Sequence, residues 1–473
     1  MTLRATFVDL GRDIFDRHAI YALTSILKAK GIDVSYVSDD SQPTIIQELE
    51  RIKPDIVMYS SFSTAFKDYA AFDEKLKKRM NVTSIVGGPS VTYNPQLLFE
   101  SSIDAACMGE GDIALPEYIL SGYKQCPNVY LNNNQVTNTF HDFADLDSMP
   151  FPDRSIIYDK DSIRRNNPAK TFISGRGCPF MCTYCFNHIH NKLFRKCGSI
   201  IRKKSVDYIL EEVAGVLAKY PLKTVVFNDD TFIVDQKWFL EFAERFSSKF
   251  EISYSCNIRA NLMTDEIARA LAESRCAVVN WSIESGDENL RNTVLKRNMS
   301  DDHILYAAEV INKHKLKHRI GNVIGLPGES EEQINKTIEM NIKCSPNLAL
   351  ANIFVPFPGL ELTKMAIDGK YYTPLQDDQL PSNYFTKSVL NLSDSTNTML
   401  QKSIFLFPTF VAFPKLYFNK SLNKGLYSLP KFLLRVFYEL FYAYKLKSLY
   451  RMNGGLFFTF GAVLRYIKAL FRS

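Results

Sequence analysis

Long apolar runs are missing from this sequence. No stretch of about 18 uninterrupted apolar residues occurs, so no segment predicts a helix that spans a bilayer. Residues 1–9 lack a basic segment followed by a long apolar stretch, so we expect no secretory signal and a chain that stays in the cytoplasm. Close internal repeats and low-complexity tracts are also missing. The sequence is therefore typical neither of a repeat architecture nor of a disordered protein.

The composition is that of an ordinary globular protein, with 46% apolar and 23% charged residues. With 473 residues the chain is too long for one compact core, so we expect two or three modules. Thiols stay reduced in the cytoplasm. The nine cysteines are therefore interpreted as buried apolar residues or cofactor ligands rather than as disulfides.

Short apolar runs alternate with helical patterns over residues 1–125, in the order βαβαβ and onward. This alternation predicts an α/β module with a doubly wound, flavodoxin-like parallel sheet. A polar stretch with several prolines follows, and we interpret residues 126–165 as a linker, with the boundary near residue 150.

The alternation resumes over residues 166–370, where six βα units follow one another. Six such units predict a full or partial barrel whose chemistry lies on loops at the carboxyl ends of the strands. Residues 371–473 have a helical period and predict a C-terminal helical region.

Three cysteines, Cys178, Cys182 and Cys185, lie together on the loop after the first strand of the second module. Thiolates at spacings of four and three can hold a cubane iron-sulfur cluster, and three ligands would leave one iron open for chemistry. Two alternatives stay open. One is a structural zinc site with His188, His190 or Cys197 as the fourth ligand, and the other is three unligated thiols.

The pattern Cys178-x3-Cys182-x2-Cys185 resembles the signature of radical S-adenosylmethionine enzymes. The resemblance implies a partial (β/α)6 barrel in which the three thiolates hold a 4Fe-4S cluster. It further implies that the open iron chelates S-adenosylmethionine, whose reductive cleavage gives a 5′-deoxyadenosyl radical that abstracts hydrogen. The aromatic Tyr184 sits where members of this family stack on or cover the adenine.

Further segments resemble this family in order along the barrel. They are Phe227-Asn-Asp229-Asp230-Thr-Phe, Asn257-Ile-Arg259, Ser282-Ile-Glu284-Ser285-Gly286, the stretch from Gly321 through Gly325 to Glu329, and Pro356-Phe-Pro-Gly359. The resemblance implies cofactor contacts for Asp229, Asp230, Arg259, Glu284, Ser285 and Gly325. The alternative for each acidic residue is a solvated loop position, and for the arginine an ordinary salt bridge.

The first module predicts a ligand crevice at its strand ends, formed by residues 9–11, 60–64, 87–93 and 109–112. Placed before a radical S-adenosylmethionine barrel, this glycine-rich module resembles the cobalamin-binding domain of the cobalamin-dependent subfamily. The resemblance implies that cobalamin contacts Ser60, Gly87, Gly88, Gly109 and Glu110. A degenerate domain without cobalamin is the alternative.

One motif departs from the methionine-synthase type of cobalamin domain, which binds cobalt with the histidine of D-x-H-x-x-G. Here Asp16-Arg-His18-Ala-Ile-Tyr21 has no terminal glycine. We interpret His18 as a polar residue at the exposed end of the first helix in preference to an axial ligand.

Positive charge is concentrated at the end of the chain, where residues 411–473 contain eleven Lys or Arg and the single acid Glu439. Aromatic residues such as Phe432, Tyr438 and Phe441 are interleaved with Arg435 and Lys445. The pattern fits a helix packed over the barrel mouth, or peripheral docking on an anionic membrane. No nucleic acid is expected, because no reading motif accompanies the charge.

The combined resemblances imply a cobalamin-dependent radical enzyme that methylates an unactivated carbon, using two S-adenosylmethionine molecules per turnover. Its partners would be a small molecule, for which a lipid-like substrate would suit the basic, aromatic end of the chain, and a one-electron donor such as flavodoxin or ferredoxin. Alternatives are a non-methylating relative similar to the anaerobic magnesium-protoporphyrin ester cyclase, an electron-transfer or sensing protein with Cys197 as fourth ligand, and a zinc-stabilised nucleic-acid binder.

Overall fold

The computed structural model describes residues 2–11, 16–62, 65–133, 135–375 and 387–449. Its first module is built from six strands and five helices. They are β1 (Arg4–Leu10), α1 (His18–Ala29), β2 (Asp33–Asp39), α2 (Gln42–Ile52), β3 (Ile56–Ser60), α3 (Phe66–Lys77), β4 (Thr83–Gly87), α4 (Pro89–Tyr93), β5 (Ala105–Cys107), α5 (Ala114–Leu120) and β6 (Val129–Leu131).

The strands of this module form one sheet in the order β2-β1-β3-β4-β5-β6, parallel except for β6. Five consecutive residues of β1 are buried, as expected for a parallel strand covered by helices on both faces. The order 2-1-3-4-5 is that of flavodoxin-like sheets, whose ligand crevice lies at the carboxyl ends of the strands. The predicted doubly wound fold is confirmed.

The segment 126–165 differs from the linker expected there. It supplies β6 to the first sheet, and the helices α6 (Ser155–Tyr158) and α7 (Ser162–Asn166) follow. All three apolar residues of α6 are buried in the core shared with α1 and α5. Arg154, also buried, donates to the carbonyl of Thr171 at 2.6 Å. The polar composition concealed these short apolar stretches.

The second module contains eight strands and seven helices. They are β7 (Ala169–Phe172), β8 (Gly175–Arg176), α8 (Phe186–Leu193), β9 (Arg202–Lys203), α9 (Val206–Lys219), β10 (Thr224–Phe227), α10 (Gln236–Lys249), β11 (Ser253–Asn257), α11 (Asp265–Glu273), β12 (Cys276–Glu284), α12 (Asp301–Lys313), β13 (His318–Ile324), α13 (Glu331–Cys344), β14 (Leu348–Ile353) and α14 (Glu361–Asp368).

Six of these strands form a parallel sheet in the order β14-β13-β12-β11-β10-β7, while β8 and β9 pair as a small hairpin. The order along the sheet follows the chain, as in a barrel that is not closed. Burial alternates residue by residue along β13, so the two faces of the sheet have different surroundings. The predicted partial six-stranded barrel is confirmed.

Polar residues fix where the barrel helices begin. The side chains of Asp235, Thr264, Ser300 and Ser330 accept hydrogen bonds from backbone N–H groups in the first turns of α10, α11, α12 and α13. Such caps satisfy donors that a helix leaves unpaired at its start. The loops that precede these helices, which carry the candidate site, therefore end at defined positions.

The C-terminal helices are α15 (Asp394–Ala412), α16 (Pro414–Phe418), α17 (Lys420–Ser428) and α18 (Lys431–Leu449). Helix α15 packs along β14 and thereby covers that edge of the sheet, while α18 packs on α15. The predicted helical region is confirmed over these helices, with α15 on the sheet edge. Residues 376–386 and 450–473 of that region lie outside the described residues. No helix in the described ranges has the length and apolar character needed to cross a membrane.

Candidate active site

The cysteine loop begins at a turn that only glycine can occupy. Gly177 has φ of +88°, and a Cβ there would lie 1.9 Å from the carbonyl oxygen of Ile200. Beyond the turn Cys182 is buried, while Cys178 and Cys185 are half-buried. Burial raises the pKa of Cys178, and it raises the pKa of Cys185 to about 11. The three free thiols are close enough to influence each other's ionisation.

The donor set fits an iron-sulfur cluster, because three thiols on one loop meet a fixed positive charge. The guanidinium of Arg259 stacks over the ring of Phe180 at 3.8 Å and donates to the Cys182 sulfur at 3.6 Å. A cation beside thiolates offsets the charge that three deprotonated ligands would gather. Within the described ranges, no three His, Cys, Asp or Glu side chains are grouped so as to hold a single metal ion.

The residues considered as fourth ligands have other neighbours. The Nε2 atom of His188 lies 3.3 Å from a carboxylate oxygen of Glu361, and the Nδ1 atom of His190 lies 3.4 Å from the Tyr93 hydroxyl. Cys197 is buried, and the charged groups that act on it are Asp142 and Glu110. These contacts favour the open-iron interpretation over the alternatives with a fourth protein ligand.

A hydrogen-bonded triad joins the loop to the end of β12. The Tyr184 hydroxyl donates to Glu284 at 3.1 Å, and Arg297 donates to both the Tyr184 oxygen and Glu284, the latter at 3.3 Å. Glu284 is held in the left-handed region with φ of +69° at the end of β12. Sequence reasoning missed Arg297, whose only signal was a basic residue in the loop after a barrel strand.

The two aspartates at the end of β10 have different surroundings. Asp229 is buried and accepts from the backbone and hydroxyl of Ser174, at 3.0 and 2.6 Å, and from Lys203 at 3.1 Å. Asp229 therefore connects the end of β10 with the residues after β7 and with the β8–β9 hairpin. Asp230 has an exposed side chain whose charge contributes to the raised pKa values of Cys178 and Cys185. It is the aspartate that faces the cysteine loop.

The strand ends of β12 and β13 place the other predicted residues. Ser285 is buried, and its hydroxyl accepts from the N–H of Asp287 at 3.3 Å. Gly325 has φ of +73° and donates its N–H to Glu329 at 2.6 Å. Burial raises the pKa of Glu329 to about 7, and its second carboxylate oxygen is buried without a hydrogen-bond partner in the described structure. Cofactor contact by Ser285 and Gly325 stays a prediction.

A cavity of about 380 Å³ lies at the carboxyl ends of the first sheet. Its lining includes all five first-module residues that the sequence predicts as cofactor contacts, namely Ser60, Gly87, Gly88, Gly109 and Glu110. Its size is that of a small-molecule site, and its walls are mainly apolar, with Phe7, Met58 and Leu115 among them. Residues 63 and 64 of the predicted loop lie outside the described residues.

Glycine is required at two points of this wall. Gly88 has φ of +104°, and a Cβ there would lie 2.6 Å from the Ser61 carbonyl oxygen. Gly109 has φ of +71°, and a Cβ would lie 2.5 Å from the ring of Phe194. A side chain at either position would strain the backbone and crowd its neighbour. The glycine-rich loops therefore keep the backbone close around the cavity.

Glu110 makes ion pairs between the modules. Its carboxylate accepts from Arg202 and lies 2.8 Å from Arg176, which also donates to Asp112 at 2.5 Å. Arg176 and Arg202 belong to the β8–β9 hairpin of the second module. These ion pairs connect the hairpin to the loop that follows β5. Contact of Glu110 with a cofactor stays a prediction. The two arginines were missed because they lie distant in sequence from Glu110.

His18 is half-buried and lines the cavity, so the expected exposed position at the helix end is wrong. Its Nε2 atom is buried with no hydrogen-bond partner among the described residues. Burial, with the nearby Arg154 charge, lowers the pKa of His18 to about 4. A neutral imidazole with an unpartnered nitrogen is suited to a polar group of a bound ligand.

Two family models match the chain: the B12 binding domain over residues 9–119 and the radical SAM superfamily over residues 172–340. The chain is a radical S-adenosylmethionine enzyme with a cobalamin-binding domain. The two domains confirm the predicted cofactors, since one uses a 4Fe-4S cluster with S-adenosylmethionine and the other binds cobalamin.

Curated relatives match over about two thirds of the chain or more. An uncharacterised methyltransferase of Pyrococcus horikoshii is 28% identical over 341 residues, which cover 68% of this chain and 72% of the relative. The anaerobic magnesium-protoporphyrin IX monomethyl ester cyclase of Cereibacter sphaeroides is 23% identical over 372 residues, covering 72% of this chain and 56% of that protein.

Solved structures share the fold. The cobalamin-dependent S-adenosylmethionine radical enzyme OxsB matches with a TM-score of 0.70 and 16% identity, over 96% of this chain and 73% of that one. The radical S-adenosylmethionine methyltransferase TsrM from Kitasatospora setae matches with a TM-score of 0.64 and 14% identity, over 79% and 78%. These likenesses confirm the arrangement of an α/β cobalamin-type module followed by a radical barrel.

Proposed function

We propose that this radical S-adenosylmethionine enzyme is a cobalamin-dependent methyltransferase that methylates an unactivated carbon of a small molecule. One observation carries the proposal: the chain runs from the wall of the first-module cavity directly into the cysteine loop. Gly175 and Arg176 of the second module line the cavity, and Cys178 follows two residues later. The proposed cobalamin and cluster sites therefore adjoin, which suits a substrate that must reach both the radical and the methyl donor.

When bound, the cluster with S-adenosylmethionine supplies a hydrogen-abstracting radical, and cobalamin supplies the methyl group. The protein's own side chains hold and orient these cofactors. Cys178, Cys182 and Cys185 hold the cluster, and Arg259 offsets their charge. Hydrogen bonds to Glu284 and Arg297 fix the aromatic ring of Tyr184, which lies between Cys182 and Cys185. The apolar cavity walls exclude water.

The relatives support this choice without deciding the substrate. The Pyrococcus relative and TsrM are named methyltransferases, whereas the Cereibacter relative is named a cyclase. The alternative that a test must distinguish is therefore a radical reaction without methyl transfer, as the cyclase name implies for that relative. A one-electron donor of the flavodoxin or ferredoxin type would supply the reducing equivalent.

The test uses full-length protein purified without oxygen and reconstituted with iron, sulfide and hydroxocobalamin. Bound corrin is measured by absorption after desalting. 5′-Deoxyadenosine is measured after adding dithionite and S-adenosylmethionine, and transfer of a deuterated methyl group from S-adenosylmethionine to the corrin is followed by mass spectrometry. Cys182→Ser and Cys197→Ser form a matched pair of buried cysteines.

We expect bound corrin, corrin methylation and 5′-deoxyadenosine in the wild type. Cys182→Ser should lose 5′-deoxyadenosine alone, and Cys197→Ser should retain all three. Formation of 5′-deoxyadenosine with a corrin that accepts no methyl group would favour the cyclase-like chemistry. Loss of the cluster in Cys197→Ser would instead favour an electron-transfer or sensing protein.

A further inference from the structure

Exposed apolar side chains are concentrated in one short part of the chain. The described structure has 21 large apolar residues with exposed side chains, and ten of them lie between residues 413 and 444. The remaining eleven are scattered over the preceding part of the chain. Single exposed apolar residues are ordinary on a protein surface, but a dense group marks an interaction site.

Helix α18 is apolar on both sides. Its inner side packs on α15 through Leu434, Tyr438 and Leu449, which are buried. Its outer side carries a stripe at intervals of four residues: Phe432, Val436, Leu440 and Tyr444. The inner side already provides the contacts that hold the helix on the protein. Within the described ranges, the outer stripe is therefore left exposed.

The apolar surface continues onto the residue that follows α15. The ring of Phe441 lies 6.0 Å from that of Phe437 and 6.1 Å from that of Phe413, which follows α15. Phe413 and Phe437 are both about half exposed. We call the exposed residues of this surface the outer face: Phe413, Phe432, Leu433, Val436, Phe437, Leu440 and Tyr444.

The charged residues of the segment that carries the outer face are almost all positive. Seven Lys or Arg lie between residues 413 and 449, against the single acid Glu439, which is paired with Arg435 at 3.0 Å. Lys445 lies over the ring of Phe441 at 5.6 Å. Aromatic and aliphatic side chains next to lysines are typical of helices that lie in the interface of an anionic bilayer.

The same charges disfavour two other partners for the outer face, namely a second copy of the chain and the segment 450–473. In a symmetric pair, two copies of the basic surface would face each other, which is repulsive. Residues 450–473, outside the described structure, contain four further Lys or Arg and no acid, so this segment has the same sign of charge. An occupant with negative charge and an apolar layer beneath it matches the surface best.

We propose that the outer face docks the enzyme on an anionic phospholipid bilayer, with α18 lying parallel to the surface. Its apolar side chains enter the boundary between headgroups and acyl chains, and the surrounding lysines contact the headgroups. Docking does not depend on the proposed methyl transfer, because it uses Phe413 and residues of α18 and none of the cluster loop or the cavity.

The test is flotation of the full-length holoenzyme with vesicles of phosphatidylcholine alone and of phosphatidylcholine with 30% phosphatidylglycerol. The disrupting variant is Val436→Glu/Leu440→Glu, whose side chains are 52% and 68% exposed. The matched control is Leu120→Glu/Leu217→Glu, with 53% and 38% exposure on α5 and α9. Cluster absorption and sedimentation velocity without vesicles are measured for every protein.

We expect the wild type and the control to float with the anionic vesicles, to float much less with the neutral ones, and to be released at high salt. The disrupting variant should lose about tenfold or more in partitioning while keeping its cluster absorption. Three results would overturn the proposal: no flotation of the wild type, equal flotation of the disrupting variant, or a wild-type dimer that this variant dissociates without any vesicle binding.

Discussion

The cysteine loop and the cavity of the first module are built in different ways. The loop needs eight consecutive residues, from Cys178 to Cys185, and one glycine turn before them. The cavity needs the ends of four strands, helix α1 and residues of the second module such as Arg176 and Lys204. A local site tolerates changes elsewhere in the fold, whereas an assembled site depends on every contact that positions its walls. The mutations below test that difference.

The largest effect is expected for Cys182→Ala, which removes a ligand from the local site. The cluster should be lost and 5′-deoxyadenosine should no longer form, while bound corrin is retained because the cavity does not use this thiol. Iron content, cluster absorption and corrin absorption check this. Loss of corrin together with the cluster would show that the two sites are not independent.

Gly88→Ala should damage the assembled site. A Cβ at this position combines a positive φ with a 2.6 Å approach to the Ser61 carbonyl, so the free energy of unfolding should fall by about 3 kcal/mol. Urea denaturation and corrin binding are the measurements. Gly87→Ala is the matched control for stability, since its nearest neighbour would be 3.9 Å away, and its free energy of unfolding should change by less than about 1 kcal/mol. Equal losses of stability in the two variants would contradict the steric argument.

Glu110→Gln separates positioning from direct cofactor contact. It weakens the charged hydrogen bonds to Arg176 and Arg202, so the free energy of unfolding should fall by about 2 kcal/mol, with a smaller change in corrin affinity. Glu117→Gln, on the exposed surface of α5, should cost less than about 1 kcal/mol. Abolished corrin binding at unchanged stability would identify Glu110 as a direct contact instead.

The last prediction concerns the pH dependence of stability, which involves a single carboxyl group. Burial raises the pKa of Glu329 from 4.5 to about 7, so the folded state binds the proton more tightly than the unfolded state does. The resulting stability is fully present below pH 4.5 and is lost as pH rises towards 7, an effect of about 1–3 kcal/mol. Glu329→Gln should flatten this dependence in urea titrations at several pH values, whereas Glu331→Gln, exposed at the start of α13, should not.

Residues close in sequence were the ones that sequence reasoning placed well. The cysteine loop, the strands and the helix starts follow from spacing, apolar runs and capping residues, all of which act over a few positions. Local sequence patterns gave wrong predictions where a residue's packing partners lie far away in the sequence. The expected linker 126–165 supplies β6 and the packed helix α6, and His18 lines the cavity instead of lying exposed.

The sequence by itself determined two α/β modules, a three-thiol loop at a barrel strand end and a basic, aromatic helical end. Only the tertiary structure decided which side chains meet there. It paired Glu110 with Arg176 and Arg202, and it placed Arg297 between Tyr184 and Glu284. The reason is that hydrogen bonds and ion pairs across modules depend on distances of a few ångströms between residues up to a hundred or more positions apart, which no local pattern encodes.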